Sequence, residues 1–422
     1  MRFICDFHIH SHYSIATSKN LIPEYLDVWA RIKGIRVLGT GDFTHPGWIN
    51  ELKEKLEPDN NGLFKLKKQY SRHTHSGDTE TRFILTSEIS SIYKKNDQVR
   101  KVHNLIISPD YETVQKIRHK LSGIGNISSD GRPILKLDSR DLLEIVLESS
   151  DNSILIPAHI WTPWFSVLGS KSGFNSIQEC YDDLTRYIYA VETGLSSDPP
   201  MNWKCSFLDK YTIISNSDAH SPEKLAREAN IFNTELSYDS IISALKTGDP
   251  EKFLGTIEFF AQEGKYHYDG HRKCGVCLNP LKTKKYNRIC PVCGKQVVRG
   301  VLNRVMELSD RTNTGERPNR HPFYSIIPLK EILSEISARG PDTKQVGRIY
   351  NDLIKKSGSE LNLLIDMPQE DIKNLGNEML AEGIRRMRSN EVIIREGYDG
   401  EYGSIELFDK KEKHSKLTAD IK

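Results

Sequence analysis

Three absences narrow this sequence before any motif is read. No apolar run is long enough to span a bilayer, and the opening Met-Arg-Phe-Ile-Cys-Asp lacks the long apolar segment of a signal peptide. A cytoplasmic protein with no membrane partner is therefore expected. Charge of one sign is lacking as well: 59 Lys and Arg stand against 57 Asp and Glu, a net +2 over 422 residues, so net charge alone argues for no partner. Cysteine is sparse. Of seven residues, Cys5, Cys180 and Cys205 are scattered through segments that read as core, which excludes a secreted disulfide framework. No internal repeat is evident, and the length is enough for a substantial core and two or three domains.

What is present begins with Asp6-Phe-His8-Ile-His10-Ser-His12, at the end of the apolar run Phe3–Phe7. Alternate side chains of a strand share a face, so His8 and His10 point the same way, as two imidazoles holding one metal must. Later β-rich runs end in the same kinds of residue: Asp42, Glu88, His103, His159, then Asp218 and His220. Up to about Gln262 such runs alternate with amphipathic stretches: Leu21–Lys33 (stopped by Gly34), Tyr111–Leu121, Ser139–Glu148, Ser176–Tyr187, Pro222–Glu228 and Asp239–Thr247. This is a βαβ pattern of seven or eight strands, and a barrel of parallel strands collects its strand ends on one active face. Eight His, Asp and Glu donors are too many for one ion. Two or three divalent ions (Zn²⁺, Mn²⁺ or Mg²⁺) are implied, and such clusters suit phosphate-ester hydrolysis, with Glu88 or Asp218 able to bridge and with Asp218, Glu88 and His159 closest to the chemistry. The polar stretch Tyr70–Thr81, with His73 and His75, reads as an exposed loop.

From Gly264 to Arg320 the composition turns basic, with 13 Lys or Arg against 4 Asp or Glu, which favours a polyanion. Within it, Cys274-Gly-Val-Cys277 and Cys290-Pro-Val-Cys293 have the spacing of a four-thiolate structural Zn²⁺ site, closed to chemistry but supplying folding energy. Beyond it the chain reads as helical, with apolar residues at three- and four-residue spacing in Leu329–Arg339, Gln345–Gly358, Pro368–Asn374 and Asn377–Arg388. A glycine-tyrosine turn, Gly397–Gly403, carries Tyr398 and Tyr402, and a charged tail from Lys410 is expected to fray. The expected domains are 1–263, 264–300 and 301–422.

His8-x-His10, Asp42, Glu88, His103, Pro157-Ala-His159 and Asn216-Ser-Asp218-Ala-His220 together resemble the PHP superfamily, named for polymerase and histidinol phosphatase domains. That resemblance implies an α/β fold, a distorted TIM-like β/α barrel with a trinuclear metal centre. One departure stands out. Where members commonly carry Thr-Asp-His, this chain has Thr40-Gly-Asp42-Phe-Thr-His45, so Phe43 stands at a ligand position; whether His45 substitutes, and whether His12 contributes, is left open. The segments His159–Phe174, Glu192–Pro200 and Ser217–Pro222, followed by the cysteine module, the helical tail and Gly397–Gly403, resemble endonuclease Q. The resemblance implies a DNA repair endonuclease that cuts 5′ to uracil, hypoxanthine, xanthine or abasic sites in double- or single-stranded DNA, leaving a 3′-hydroxyl, with repair or replication proteins as possible partners. Trp161, Trp164 and Phe165 are candidate stacking surfaces, and Ser170, Lys171 and Ser172 candidate phosphate contacts, with Tyr398 and Tyr402 as further DNA contacts. A phosphoesterase for small phosphomonoesters, an exonuclease and a non-catalytic DNA-binding adaptor are the alternatives.

Overall fold

A computed structural model of the chain describes residues 1–412 apart from 74–79, 313–314, 316, 319, 376–377 and 410. His75, Asn377 and the tail from Lys413 lie outside the described residues.

The sheet is built outward from β1 (Arg2–Asp6), which pairs in parallel with β2 (Val37–Gly39). Between them runs the helix Pro23–Lys33, with Pro23 at its first turn and Gly34 (φ 94°) in the left-handed region at its end, where a side chain would be strained. β3 (Leu56–Pro58) and β4 (Phe64–Leu66) form an antiparallel edge. β5 (Arg82–Lys95) runs parallel to β2 and then turns at Asn96–Asp97 into β6 (Gln98–Ser108), a long antiparallel hairpin. β7 (Ile134–Leu135) adds to β5, and β8 (Ile154–Pro157) adds antiparallel to β6. β9 (Ala190–Glu192) and β10 (Thr212–Ile214) make a separate parallel pair. β11 (Ala229–Asn233) returns antiparallel to β1, followed by β12 (Phe253–Phe259).

The expected all-parallel arrangement is thus corrected: β6 and β11 run against their neighbours. Single backbone bonds carry the strands round, from Ile160 N to Glu192 O after β8 and from His10 N to Ala219 O after β10. The expected helix at Pro222–Glu228 is one short 3₁₀ turn, and the strand β11 that follows was not anticipated. Two apolar clusters hold the layers. Phe3, Cys5 and Phe7 join Leu105, Ile107, Ile154, Ile156 and Ile214, and the helix Tyr238–Thr247 plugs this set with Ile241, Ile242 and Leu245. Ile4, Leu26 and Ile89 belong to a larger cluster that continues into the C-terminal helices through Leu333, Leu353 and Ile384. Each such side chain contributes about 1.5–3 kcal/mol on full burial.

β13 (Asp269–His271) and β14 (Val276–Leu278) form the hairpin of the cysteine module. β15 (Phe323–Ile326) then rejoins the main sheet parallel to β12, so the C-terminal part is continuous with the central sheet rather than hung from it. Helices follow at Leu329–Ser337, Lys344–Ser357, Gln369–Asn374 and Glu378–Arg388. They dock on the first helix through the buried Lys33–Glu360 ion pair (2.7 Å), whose carboxylate also accepts the Tyr350 hydroxyl. β16 (Ile393–Arg395) and β17 (Ser404–Glu406) flank the glycine-tyrosine turn. Among the described residues no helix is long and apolar enough to cross a membrane.

Candidate metal centre and neighbouring loops

His8 and His10 leave β1 on a common side. Both Nε2 atoms approach Glu88 Oε2 (3.5 and 3.4 Å) and Asp218 Oδ1 (3.9 and 3.0 Å). These four residues bring donor atoms within ligand distance of one another, and a second group, Glu88, His103 and His159, adjoins it. In that second group Glu88 Oε1 lies 2.6 Å from His103 Nδ1 and 3.1 Å from His159 Nε2. Glu88 therefore faces both groups, one oxygen to each.

The donors fit divalent ions. His8 Nδ1 donates to both oxygens of Glu192 at 3.1 Å, which fixes the tautomer and leaves Nε2 a buried lone pair without a hydrogen-bond partner among the described residues. His10 is oriented the same way, its Nδ1 held 3.1 Å from Asp42 Oδ1. Its Nε2 then meets an acceptor oxygen of Asp218 at 3.0 Å, a contact that needs a proton or a metal between. Burial works against charge on His10, yet Asp42 and Asp218 outweigh it and raise its pKa to about 10. In His103 burial prevails over the pull of Glu88 and the pKa falls to about 4, so the ring is neutral, and its Nδ1, 2.6 Å from Glu88 Oε1, again needs a proton or a metal between. Asp42, His159 and Asp218 all have positive φ (49°, 30° and 46°), strained backbone concentrated at the site.

Not every expected ligand joins. Asp42 belongs to neither group: its Oδ2 accepts from Ser11 N, Ser11 Oγ and Ser14 Oγ, so it orients His10. His220 Nδ1 lies 2.8 Å from Asp218 O, and its ring packs against His10 outside both groups. Glu88 and His103 lie inside the β5–β6 hairpin, paired near Leu105 and Ser90, not at strand ends. His45 spends Nδ1 on the amides of Gly47 and Trp48 and Nε2 on Ser128 O, while Phe43 is fully buried. Glu192 is the chief residue that the sequence did not single out. It accepts from His8 Nδ1, His159 N and Asn216 Nδ2 at once.

In the cysteine module Cys274, Cys290 and Cys293 converge with His271, whose Nδ1 is 3.6 Å from Cys293 Sγ. Three thiols and an imidazole fit a tetrahedral metal site. Cys277 stands outside this quartet, on β14, its Sγ 3.9 Å from Glu396 O.

The loop after β8 separates its aromatics. Trp161 is fully buried with Nε1 donating to Asn202 Oδ1, and Ser172 is buried with Oγ bonded to Phe165 N and Lys101 O; both are corrected from DNA contacts to packing. Trp164 is 52% exposed, with Lys101 Nζ 5.4 Å from its ring, and Phe165 leans on the ring of His103 at 4.7 Å. Lys171 is exposed and Ser170 half-buried. The turn Gly397–Gly403 is tied to Gln262, Glu263 and Lys265 by backbone bonds. Within it Tyr402 is 73% exposed beside Lys265, while Tyr398 packs over Gly270.

A solved structure of the lesion-specific endonuclease PfuEndoQ from Pyrococcus furiosus superposes with a TM-score of 0.84, at 32% identity over 96% of this chain and 95% of that one. The chain belongs to the endonuclease Q family. A second endonuclease Q structure, in complex with a 27-mer duplex substrate carrying an abasic lesion at its active site, matches at 31% identity and a TM-score of 0.83 over 98% of both chains. Residues 328–391 match the MJ0043 C-terminal domain family. The uncharacterized protein MJ0043 of Methanocaldococcus jannaschii is 35% identical over 279 residues, 64% of this chain, and the match spans only 34% of that relative's length. YqxK of Bacillus subtilis, also uncharacterized, is 29% identical over 96% of this chain and 99% of its own.

Proposed function

We propose that this chain is a metal-dependent DNA repair endonuclease, cutting the phosphodiester bond 5′ to a deaminated base or an abasic site. The observation that carries the reading is the pair of ligand groups joined by Glu88, beside an exposed Trp164 loop, in a chain of the endonuclease Q family. The curved sheet of residues 1–263 reads as the distorted β/α barrel, 264–300 as the structural zinc module and 301–422 as the C-terminal helical part. His8, His10, Asp218 and Glu88 Oε2 would hold one ion, and Glu88 Oε1, His103 and His159 the second. When bound, Zn²⁺, Mn²⁺ or Mg²⁺ would supply Lewis acidity, acidifying a water and neutralising phosphoryl oxygens.

The rest is done by the chain. Glu192 and Asp42 keep His8 and His10 turned inward through their Nδ1 protons. Trp164 offers a stacking face for a base leaving the duplex, and weakly paired or missing bases make that extrusion cheap. Lys101, beside the Trp164 ring, and the exposed Lys171 of the same loop offer cations for phosphates. Hydrolysis adds the water oxygen to phosphorus and breaks the bond to O3′, giving a 3′-hydroxyl and a 5′-phosphate on the lesion strand.

The test is an end-labelled duplex with one deoxyuridine, deoxyinosine or abasic site beside an undamaged control, with Mn²⁺, Mg²⁺ or chelator. A metal-dependent nick 5′ to the lesion and none in the control is expected. Turnover of a generic phosphomonoester with no nick under any metal would overturn the substrate assignment and keep the hydrolytic one.

A further inference from the structure

The third ion that the resemblance implies finds no third ligand group among the described residues. Phe43 supplies none, His45 has both ring nitrogens engaged, and His12 Nε2 is turned to Glu51 at 2.8 Å. Asp42, the remaining carboxylate on that side, is turned to other partners. Oδ1 takes His10 Nδ1 and Oδ2 takes three donors at 2.6–2.8 Å. The backbone of Gly131 presses so closely on it that a Cβ there would come within 2.2 Å of Oδ2. No room is left for an ion on that oxygen.

The same loop delivers a cation of another kind. It is tied to the segment after β1 by Gly131 N to Tyr13 O and Ile15 N to Asp130 Oδ1, and to the Asp42–His45 turn by His45 Nε2 to Ser128 O. Its end presents Arg132, whose Nη1 lies 3.1 Å from Glu88 Oε2. The side chain is 27% exposed, and among the described residues only Nη1 of its guanidinium is engaged, leaving donors for a ligand entering from solvent. A guanidinium cannot lose its charge and matches a phosphate with paired donors.

From this arrangement we infer that the centre is a two-ion site completed by Arg132, which stands in for a third metal ion and donates to a non-bridging oxygen of the scissile phosphate. The inference deepens the phosphodiesterase reading and rests on it for the identity of the phosphate, but its metal count is independent of substrate.

The experiment uses the full-length protein loaded with Mn²⁺ or Zn²⁺ and dialysed, with metals counted by mass spectrometry in the wild type, Arg132→Ala and Arg132→Lys. One ion for each of the three ligand groups, cysteine module included, is expected in all three proteins. Cleavage of a lesion duplex should fall about 10²-fold or more in Arg132→Ala, with partial recovery in Arg132→Lys and duplex affinity changed only a few-fold. A further ion in the wild type overturns the proposal. So does loss of a barrel ion in Arg132→Ala, which would make the arginine a support of the ligands, and so does cleavage at the wild-type rate. If Arg132→Ala melts before it can be assayed, the wild-type count and Arg132→Lys still decide. The expected count without any lesion-dependent nick in the wild type would sink the DNA reading and leave the two-ion centre standing.

Discussion

Glu192→Gln is the sharpest test of how the ligands are held. The carboxylate receives three donors from three separate elements: His8 Nδ1 at 3.1 Å to both oxygens, His159 N at 2.8 Å to Oε2, and Asn216 Nδ2 at 2.8 Å to Oε1. It is 1% exposed, so water cannot substitute. Glutamine keeps the shape but has only one acceptor oxygen. Whichever way the amide turns, its NH₂ faces either the His159 amide or the Asn216 amide, donor against donor, at a cost of about 1–3 kcal/mol. Losing the carboxylate behind a coordinating histidine weakens metal binding by about 10–100-fold, or about 1.4–2.7 kcal/mol. The apparent metal affinity, titrated against a chelator, should fall by that factor, and the metal-free protein should melt lower. Cleavage at saturating metal should recover most of the loss. A metal affinity within twofold of wild type, together with unchanged melting, would refute the assigned role.

Other expectations follow from single environments. Glu228 and Glu258 are fully buried; burial first, with mutual repulsion at Glu228 and the Asp198 charge at Glu258, raises both pKa values well above the carboxylate range. A raised folded pKa means the folded state holds the proton more tightly, so stability present below about pH 4.5 is lost as pH rises. Glu258→Gln, a neutral isostere, should therefore melt increasingly above wild type as the pH rises above about 4.5, and parallel melting curves would refute this. Trp164→Ala should weaken lesion-duplex binding by about 1–3 kcal/mol in a gel shift with metal content unchanged. Cys290→Ser should lower melting temperature and duplex affinity while the cut stays at the same bond; a shifted cut would give the module a role in the chemistry.

How much of the site was legible depended on whether its signal was local. His8-x-His10 is read from strand period, Asp218 from its place after an apolar run, and Cys274, Cys290 and Cys293 from knuckle spacing, while His220 and Cys277 fall outside the ligand groups. Glu88 and His103 were found for a partly mistaken reason. The β5 run reads as ending at Glu88, but it continues to Lys95 because β6 pairs with it from Leu85 onward. Glu192 and Arg132 have no local signature. One matters because residues 8, 159 and 216 meet on it, the other because a loop pinned at Tyr13 and His45 carries it inward. Trp161 and Trp164, three residues apart in a loop without period, could not be told apart as core and surface, and only their partners decide it.

Side-chain contacts link the cysteine module to the loop that exposes Trp164. His271 and Cys274 belong to one ligand group at the end of β13, whose Asp269 accepts from Gly300 N (2.7 Å) and Asn303 Nδ2 (2.5 Å) and so braces the start of the helix Val301–Leu308. From that helix the buried Arg304 donates to Leu168 O, Phe174 O and Asn175 Oδ1, clasping the loop that exposes Trp164. The module is thus connected to the loop through Asp269, the helix and Arg304. Arg304→Ala strands two carbonyls, at about 1–3 kcal/mol each, and frees the loop. It should reproduce the weakened lesion-duplex binding expected of Trp164→Ala, measured in the same gel shift, with metal content unchanged. Wild-type affinity in Arg304→Ala would mean that the loop is held by its own packing.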